Sequence, residues 1–146
     1  MQVGFLFREQ LKGVFHPIGE MAGGRKIEFR ITATTPSFKK FFDDFMCDIK
    51  GELSAEGIAK KVPCEGKLEI ALLTRSELVY ELFFKGDDGS SYRLLGKKNI
   101  KALQFPSTIT TLFIKLFRDG EEYASGIMRF NWWTFHSYLF SHRLVF

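Results

Sequence analysis

The amino-acid sequence predicts an antiparallel all-β domain, a β-barrel or β-sandwich of about eight to nine strands with two short helices near residues 36–45 and 131–142. Three observations point there. Short segments alternate apolar and polar residues along most of the chain; Gly, Pro and Asp clusters separate them; and apolar residues at helical spacing are confined to two places. With 146 residues, 45% hydrophobic and 26% charged, the chain fits one domain spanning 1–146. A chain of this size buries roughly 70% of its unfolded surface, so its core needs no disulfide or metal.

Leu11–Phe15 and Lys26–Ala33 are the first strand candidates, separated by Gly19 and Gly23-Gly24. In the second, Ile27, Phe29 and Ile31 share one face and Lys26, Glu28 and Arg30 the other, as in a half-buried strand. Thr35 and Pro36 then read as the cap and first turn of a helix. Phe38, Phe41, Phe42 and Phe45 fall on a single stripe of that helix, which would lie as a lid against a core.

Met46–Leu53 and Lys67–Leu73 are expected as strands joined through Glu56-Gly57 and the Pro63-Cys64-Glu65-Gly66 stretch. Leu78–Phe84 is the most apolar strand candidate, and Gly86–Ser91 turns it into Tyr92–Leu95. That turn holds two Asp but lacks the ligand spacing of a calcium loop, so a plain hairpin is expected. Ile109–Phe117 and Tyr123–Phe130 form a further hairpin across Arg118-Asp119-Gly120-Glu121, where Asp-Gly is a strong turn signal. Asn131 caps the last segment, in which Trp132, Phe135, His136 and Leu139 have helical spacing.

The first residues carry neither a basic region nor a long apolar run, and no segment has the 18 or so apolar residues that cross a bilayer. A cytoplasmic protein is the expectation. Cys47 and Cys64 are too few for a disulfide framework and lack zinc-site spacing. They lie symmetrically about Ala55-Glu56, so a hairpin turning there would bring them face to face, and free buried thiols are preferred over a bond. The net charge of +4 is carried partly by the doublets Lys39-Lys40, Lys60-Lys61 and Lys97-Lys98, read as solvated turns and strand edges. An anionic partner is the sharper alternative. No doublet sits in a nucleic-acid-binding motif and carboxylates lie close by, so nucleic acid is not expected and membrane contact is at most peripheral.

Catalytic chemistry is not legible. His136 and His142 are six residues apart and point to different faces of a helix, and His16 precedes Pro17 in a loop. No nucleophile elbow, phosphate loop or converging carboxylate pair is present, so the expectation is a non-enzymatic protein with no metal and no cofactor; a hydrolase assembled from distant strands is the remaining alternative.

Seventeen phenylalanines against two Trp and four Tyr are the compositional anomaly. Either they make one dense core or they line a cavity for an apolar ligand. In the second case the candidate ligand-binding residues are Phe38, Phe41, Phe42 and Phe45 with Trp132 and Phe135.

Several stretches carry a likeness across nearly the whole chain. They are Phe7–Gly13, Phe38–Phe42, Gly51 with Leu53, Gly66–Ile70, the block Val79–Phe84 with Asp88-Gly89 and Tyr92–Lys98, Thr110–Leu112 and Ala124–Ile127. In this order of motifs the chain resembles the β-rich module appended to bacterial cholesterol-oxidase-like flavoenzymes of the GMC class and to lipase-like α/β-hydrolase proteins. The resemblance implies an association with sterol or lipid metabolism, either by binding such a ligand or by docking onto a lipid-processing enzyme. It does not imply oxidase activity, because the flavin-binding portion is absent from this sequence. Where that module reads Asp-Thr-Thr-Thr-Leu, this chain has Thr108-Ile109-Thr110-Thr111-Leu112, so an acidic residue and one hydroxyl are missing.

Overall fold

Alternation of side chains at period two runs along the strands, interrupted at two bulges, and the computed structural model closes them into a barrel. It describes residues 5–20, 23–35, 46–71, 77–99 and 111–130. Eight strands follow one another: β1 (Phe5–Pro17), β2 (Arg25–Thr35), β3 (Met46–Ala55), β4 (Ala59–Ala71), β5 (Glu77–Lys85), β6 (Ser91–Asn99), β7 (Thr111–Arg118) and β8 (Glu121–Phe130). Each pairs antiparallel with the next, and β8 pairs back onto β1 from Leu11 opposite Phe130 to Pro17 opposite Ala124. Closure leaves no edge strand, which removes the aggregation hazard that edge lysines were expected to manage.

The architecture is therefore the barrel rather than the sandwich. The two helices expected near 36–45 and 131–142 lie outside the described residues. Two other expectations are corrected. β4 begins at Ala59 and runs unbroken through Pro63 and Gly66, which pair opposite Glu52 and Ile49. These residues bend strands instead of ending them. The cysteines do not face each other: Cys47 lies opposite Leu68 and Cys64 opposite Gly51, because the turn is centred about two residues beyond the midpoint of the two cysteines. Both are buried, and neither forms a disulfide.

Inward positions are mostly apolar. Leu11, Phe15, Ile27, Phe29, Ile49, Leu53, Leu82 and Leu94 are among those almost wholly removed from solvent. Outward positions on β3 and β4 include Asp48, Lys50, Glu52, Glu65 and Lys67, with Lys67 and Asp48 joined as an ion pair. An apolar interior inside a charged exterior is the reverse of the pattern in barrels that span a bilayer. Among the described residues no helix is long and apolar enough to cross a membrane.

The two ends of the barrel differ. At one end sit the four short connections: residues 18–24, Glu56–Ile58, Gly86–Ser90 and Asp119-Gly120. Asp119 and Gly120 both have positive φ, 48° and 90°, as a two-residue turn matching the strand twist requires. Backbone bonds run from hairpin to hairpin here: Ile18 N–H donates to Tyr123 at 2.9 Å, Glu56 to Lys26 at 2.9 Å, Asp87 to Ile58 at 2.8 Å and Asp119 to Ser91 at 2.8 Å. The strand ends that lead into residues 36–45, 72–76 and 100–110, the start of β1 and the end of β8 all lie at the opposite end.

Candidate functional site

Built upward from the turn end, the interior begins with an aromatic layer. The rings of Phe84 and Tyr92 stack at 5.2 Å, and Tyr123 meets Tyr92 edge-on at 5.9 Å. Burial pushes the Tyr92 hydroxyl pKa upward. Together with the hairpin-to-hairpin bonds these rings seal that end.

Toward the opposite end the inward side chains become smaller and one becomes polar. Ala33 and Cys47 are fully buried there. On β6 the inward positions are Tyr92, Leu94, Gly96 and Lys98, so strict alternation carries an ammonium group into the barrel. Lys98 is 1% exposed, the only buried charged side chain among the described residues. Its Nζ donates to the Tyr80 hydroxyl at 3.3 Å and lies 5.2 Å from the centre of the Tyr80 ring. Tyr80 is itself fully buried, and its ring is 6.4 Å from that of Phe29 on the turn-ward side. Gly96 pairs with Tyr80, and its missing side chain leaves room that Leu112 fills.

Taking an ammonium out of water costs several kcal/mol, and the hydrogen bond to the Tyr80 hydroxyl and the cation–π contact with its ring are among the interactions that offset this. A buried ammonium is an uncommon occupant of a core position that Met or Leu could fill. Buried ionisable groups are over-represented at functional sites. Chemically the pair brings an ammonium and a phenolic hydroxyl together inside a low-dielectric cylinder, groups whose chemistry suits an oxyanion.

A second buried titratable group lies outside this pair. The Cys64 thiol, on the inward face of β4, is pushed up to about 11, chiefly by burial and secondarily by the Glu52 carboxylate. That makes it an inert core thiol. The carboxylates of the Gly86–Ser90 turn are engaged locally: Asp88 accepts from the Ser90 N–H at 2.9 Å and from Arg118 at 2.9 Å, and Asp87 accepts from the Lys60 N–H at 3.4 Å. They cap a hairpin, and the Ser90 bond followed by the Arg118 charge holds Asp88 below the ordinary carboxylate range.

Of the candidates read from the sequence, Phe38, Phe41, Phe42, Phe45, Trp132 and Phe135 lie outside the described residues. The described phenylalanines do not gather in one volume. Phe15, Phe29 and Phe84 point inward, while Phe83 and Phe113 are 48% and 59% exposed on the outer surface. Period two explains the split, since Phe83 and Phe84 are sequence neighbours and must face opposite sides. His16 is exposed on β1. Sequence reading missed Lys98 by treating Lys97-Lys98 as a solvated pair; the signal was its phase, two residues beyond Gly96 and four beyond Leu94.

No protein-family model, no curated protein and no solved structure matches the chain.

Proposed function

We propose that the barrel is a non-enzymatic container for an apolar ligand with an acidic end, such as a long-chain carboxylate, with its head group at Lys98 and Tyr80. The observation that carries this reading is the buried Lys98–Tyr80 pair in an interior that is otherwise apolar among the described residues. It lies away from the aromatic layer that seals the turn end, and on the side where the strands run out into their longer connections. Apolar walls with a few placed polar groups are the usual composition of a small-molecule site. Both residues fall within Val79–Phe84 and Tyr92–Lys98, the most specific block of the resemblance to modules of sterol- and lipid-processing proteins. That likeness supports the lipid class of the ligand.

The test starts with native mass spectrometry of the purified protein, where a bound amphiphile is expected to leave on organic extraction. The extracted protein is then titrated with a fatty acid and with the fatty alcohol of the same chain length. Bonds to a charged group contribute about 1.5–3 kcal/mol, so the acid is expected to bind roughly tenfold to a hundredfold tighter. Lys98→Met, a swap of similar volume, is expected to erase that preference while keeping the fold. Failure of wild-type protein to take up either compound would sink the reading. Equal affinity for acid and alcohol would remove the acidic end from it.

A further inference from the structure

The outside of the barrel carries a second feature, unconnected with what the interior holds. Outward side chains of neighbouring strands line up across the sheet: Val14 on β1 is opposite Ile127 on β8, and Ile127 is opposite Phe113 on β7. The three are 43%, 47% and 59% exposed. They form a contiguous apolar strip three strands wide, against a shallow groove of about 750 Å³.

Cations surround the strip. Lys97 follows Phe113 in the same row, Lys12 and Arg129 pair in the adjoining row toward the β8 end, and Lys115 lies in the row on the other side. The outward positions of these rows on β1, β7 and β8 between Lys12 and His16, Thr111 and Lys115, and Ser125 and Arg129 hold no carboxylate. Lys12 and Lys115 reach carboxylates only beyond the patch, at Glu28 (4.0 Å) and Glu122 (3.5 Å). Lys97 and Arg129 make no ion pair among the described residues. The β3–β4 side is different, for there Lys50 and Lys67 are interspersed with Asp48, Glu52 and Glu65.

We propose that this face docks on an anionic bilayer surface, with Phe113, Ile127 and Val14 entering the headgroup boundary and Lys12, Lys97, Lys115 and Arg129 meeting lipid phosphates and carboxylates. Charge complementarity and size select this occupant. A strip three side chains wide covers a few hundred Å² at most, well short of the roughly 800 Å² per partner of a stable protein interface. An apolar centre ringed by cations is the composition of a reversible interfacial anchor, in which long basic side chains lay their stems on the apolar surface and place their charge among headgroups.

The full chain is sedimented with phosphatidylcholine vesicles with and without phosphatidylserine, at low and high salt. Binding is expected only with phosphatidylserine and is expected to weaken as salt rises. Each of Lys97→Gln and Arg129→Gln is expected to weaken it roughly fivefold. Phe113→Ser is expected to weaken it further at unchanged charge. Lys50→Gln with Lys60→Gln, which removes twice the charge of either single variant from elsewhere on the barrel, is expected to leave it unchanged. All these positions are exposed, so thermal melting and far-ultraviolet circular dichroism should match wild type. Absence of phosphatidylserine-dependent binding by wild type overturns the proposal. So does an equal loss from the Lys50 and Lys60 control. A concentration-dependent dimer abolished by Phe113→Ser would also overturn it, by assigning the strip to a second copy of the chain.

Discussion

Cys64 shows how one position on a barrel wall sets its own chemistry. Its side chain points inward, so burial disfavours the thiolate and holds the pKa at about 11 against an ordinary value of 9.0. At pH 8 only roughly one molecule in a thousand then carries the thiolate, compared with a substantial fraction for a free cysteine. Alkylation by iodoacetamide at pH 8 is expected to be negligible in the native protein and complete after denaturation, read by mass spectrometry. Stability follows the same shift. The folded-state pKa is raised, so the contribution is fully present below pH 9 and is lost as pH rises through about 11. The unfolded chain gives up its proton first in that window, and the unfolding free energy from denaturant titration is expected to fall there by an amount on the order of 2 kcal/mol, with Cys64→Ala abolishing that part of the pH dependence. Residue-level placement was only partly legible in the sequence. Burial of Cys47 and Cys64 was expected from the apolar character of free thiols, but their relative position depended on a turn centre that composition does not fix. Lys98 is legible by phase alone, and its charge argued the other way.

Elements were the most legible scale, because period-two alternation and Asp119-Gly120 are local signals that tertiary structure reinforced. What misled was glycine within strands. Gly51 and Gly66 were seen in the sequence, yet Gly66 was assigned to a connection; both occupy inward positions at mid-strand. A Cβ built on Gly66 would fall on the carbonyl oxygen of Glu81, and one built on Gly51 on that of Arg30. The neighbouring backbone closes over these positions because a small barrel must coil its strands tightly, and only glycine leaves the space. Gly66→Ala is therefore expected to destabilise by roughly 3 kcal/mol or more, or to prevent folding, since backbone rather than a flexible side chain must move. Gly23→Ala, where a Cβ meets nothing within 4 Å, is expected to change stability by less than about 0.5 kcal/mol. Chemical denaturation of the two variants checks the contrast, and equal losses would remove the bending role.

As a whole, the molecule is a cylinder whose two ends and two outer sides are unlike. Tight turns, interlinked backbone bonds and the Phe84–Tyr92–Tyr123 layer close one end. The buried ammonium lies away from that layer, and the carboxylate-free strip on β1, β7 and β8 runs along one outer side. This division is beyond local sequence signals, since it depends on which hairpins share an end and on the seam that joins Leu11–Pro17 to Ala124–Phe130. Closure has a thermodynamic corollary for a container. A ligand that binds only the closed barrel stabilises it by RT ln(1 + [L]/Kd), about 2.7 kcal/mol at a hundredfold excess over Kd. For a domain near 150 residues each kcal/mol moves the melting temperature by roughly 2–4 °C, so refilling extracted protein with a long-chain acid is expected to raise Tm by about 5–10 °C. In Lys98→Met the acid and the matching alcohol are expected to give the same, smaller shift, because only apolar contacts remain. Scanning calorimetry of the extracted and refilled forms decides it. An unchanged Tm at saturating acid would mean that the interior is complete without a guest, and that the cost of burying Lys98 serves the fold alone.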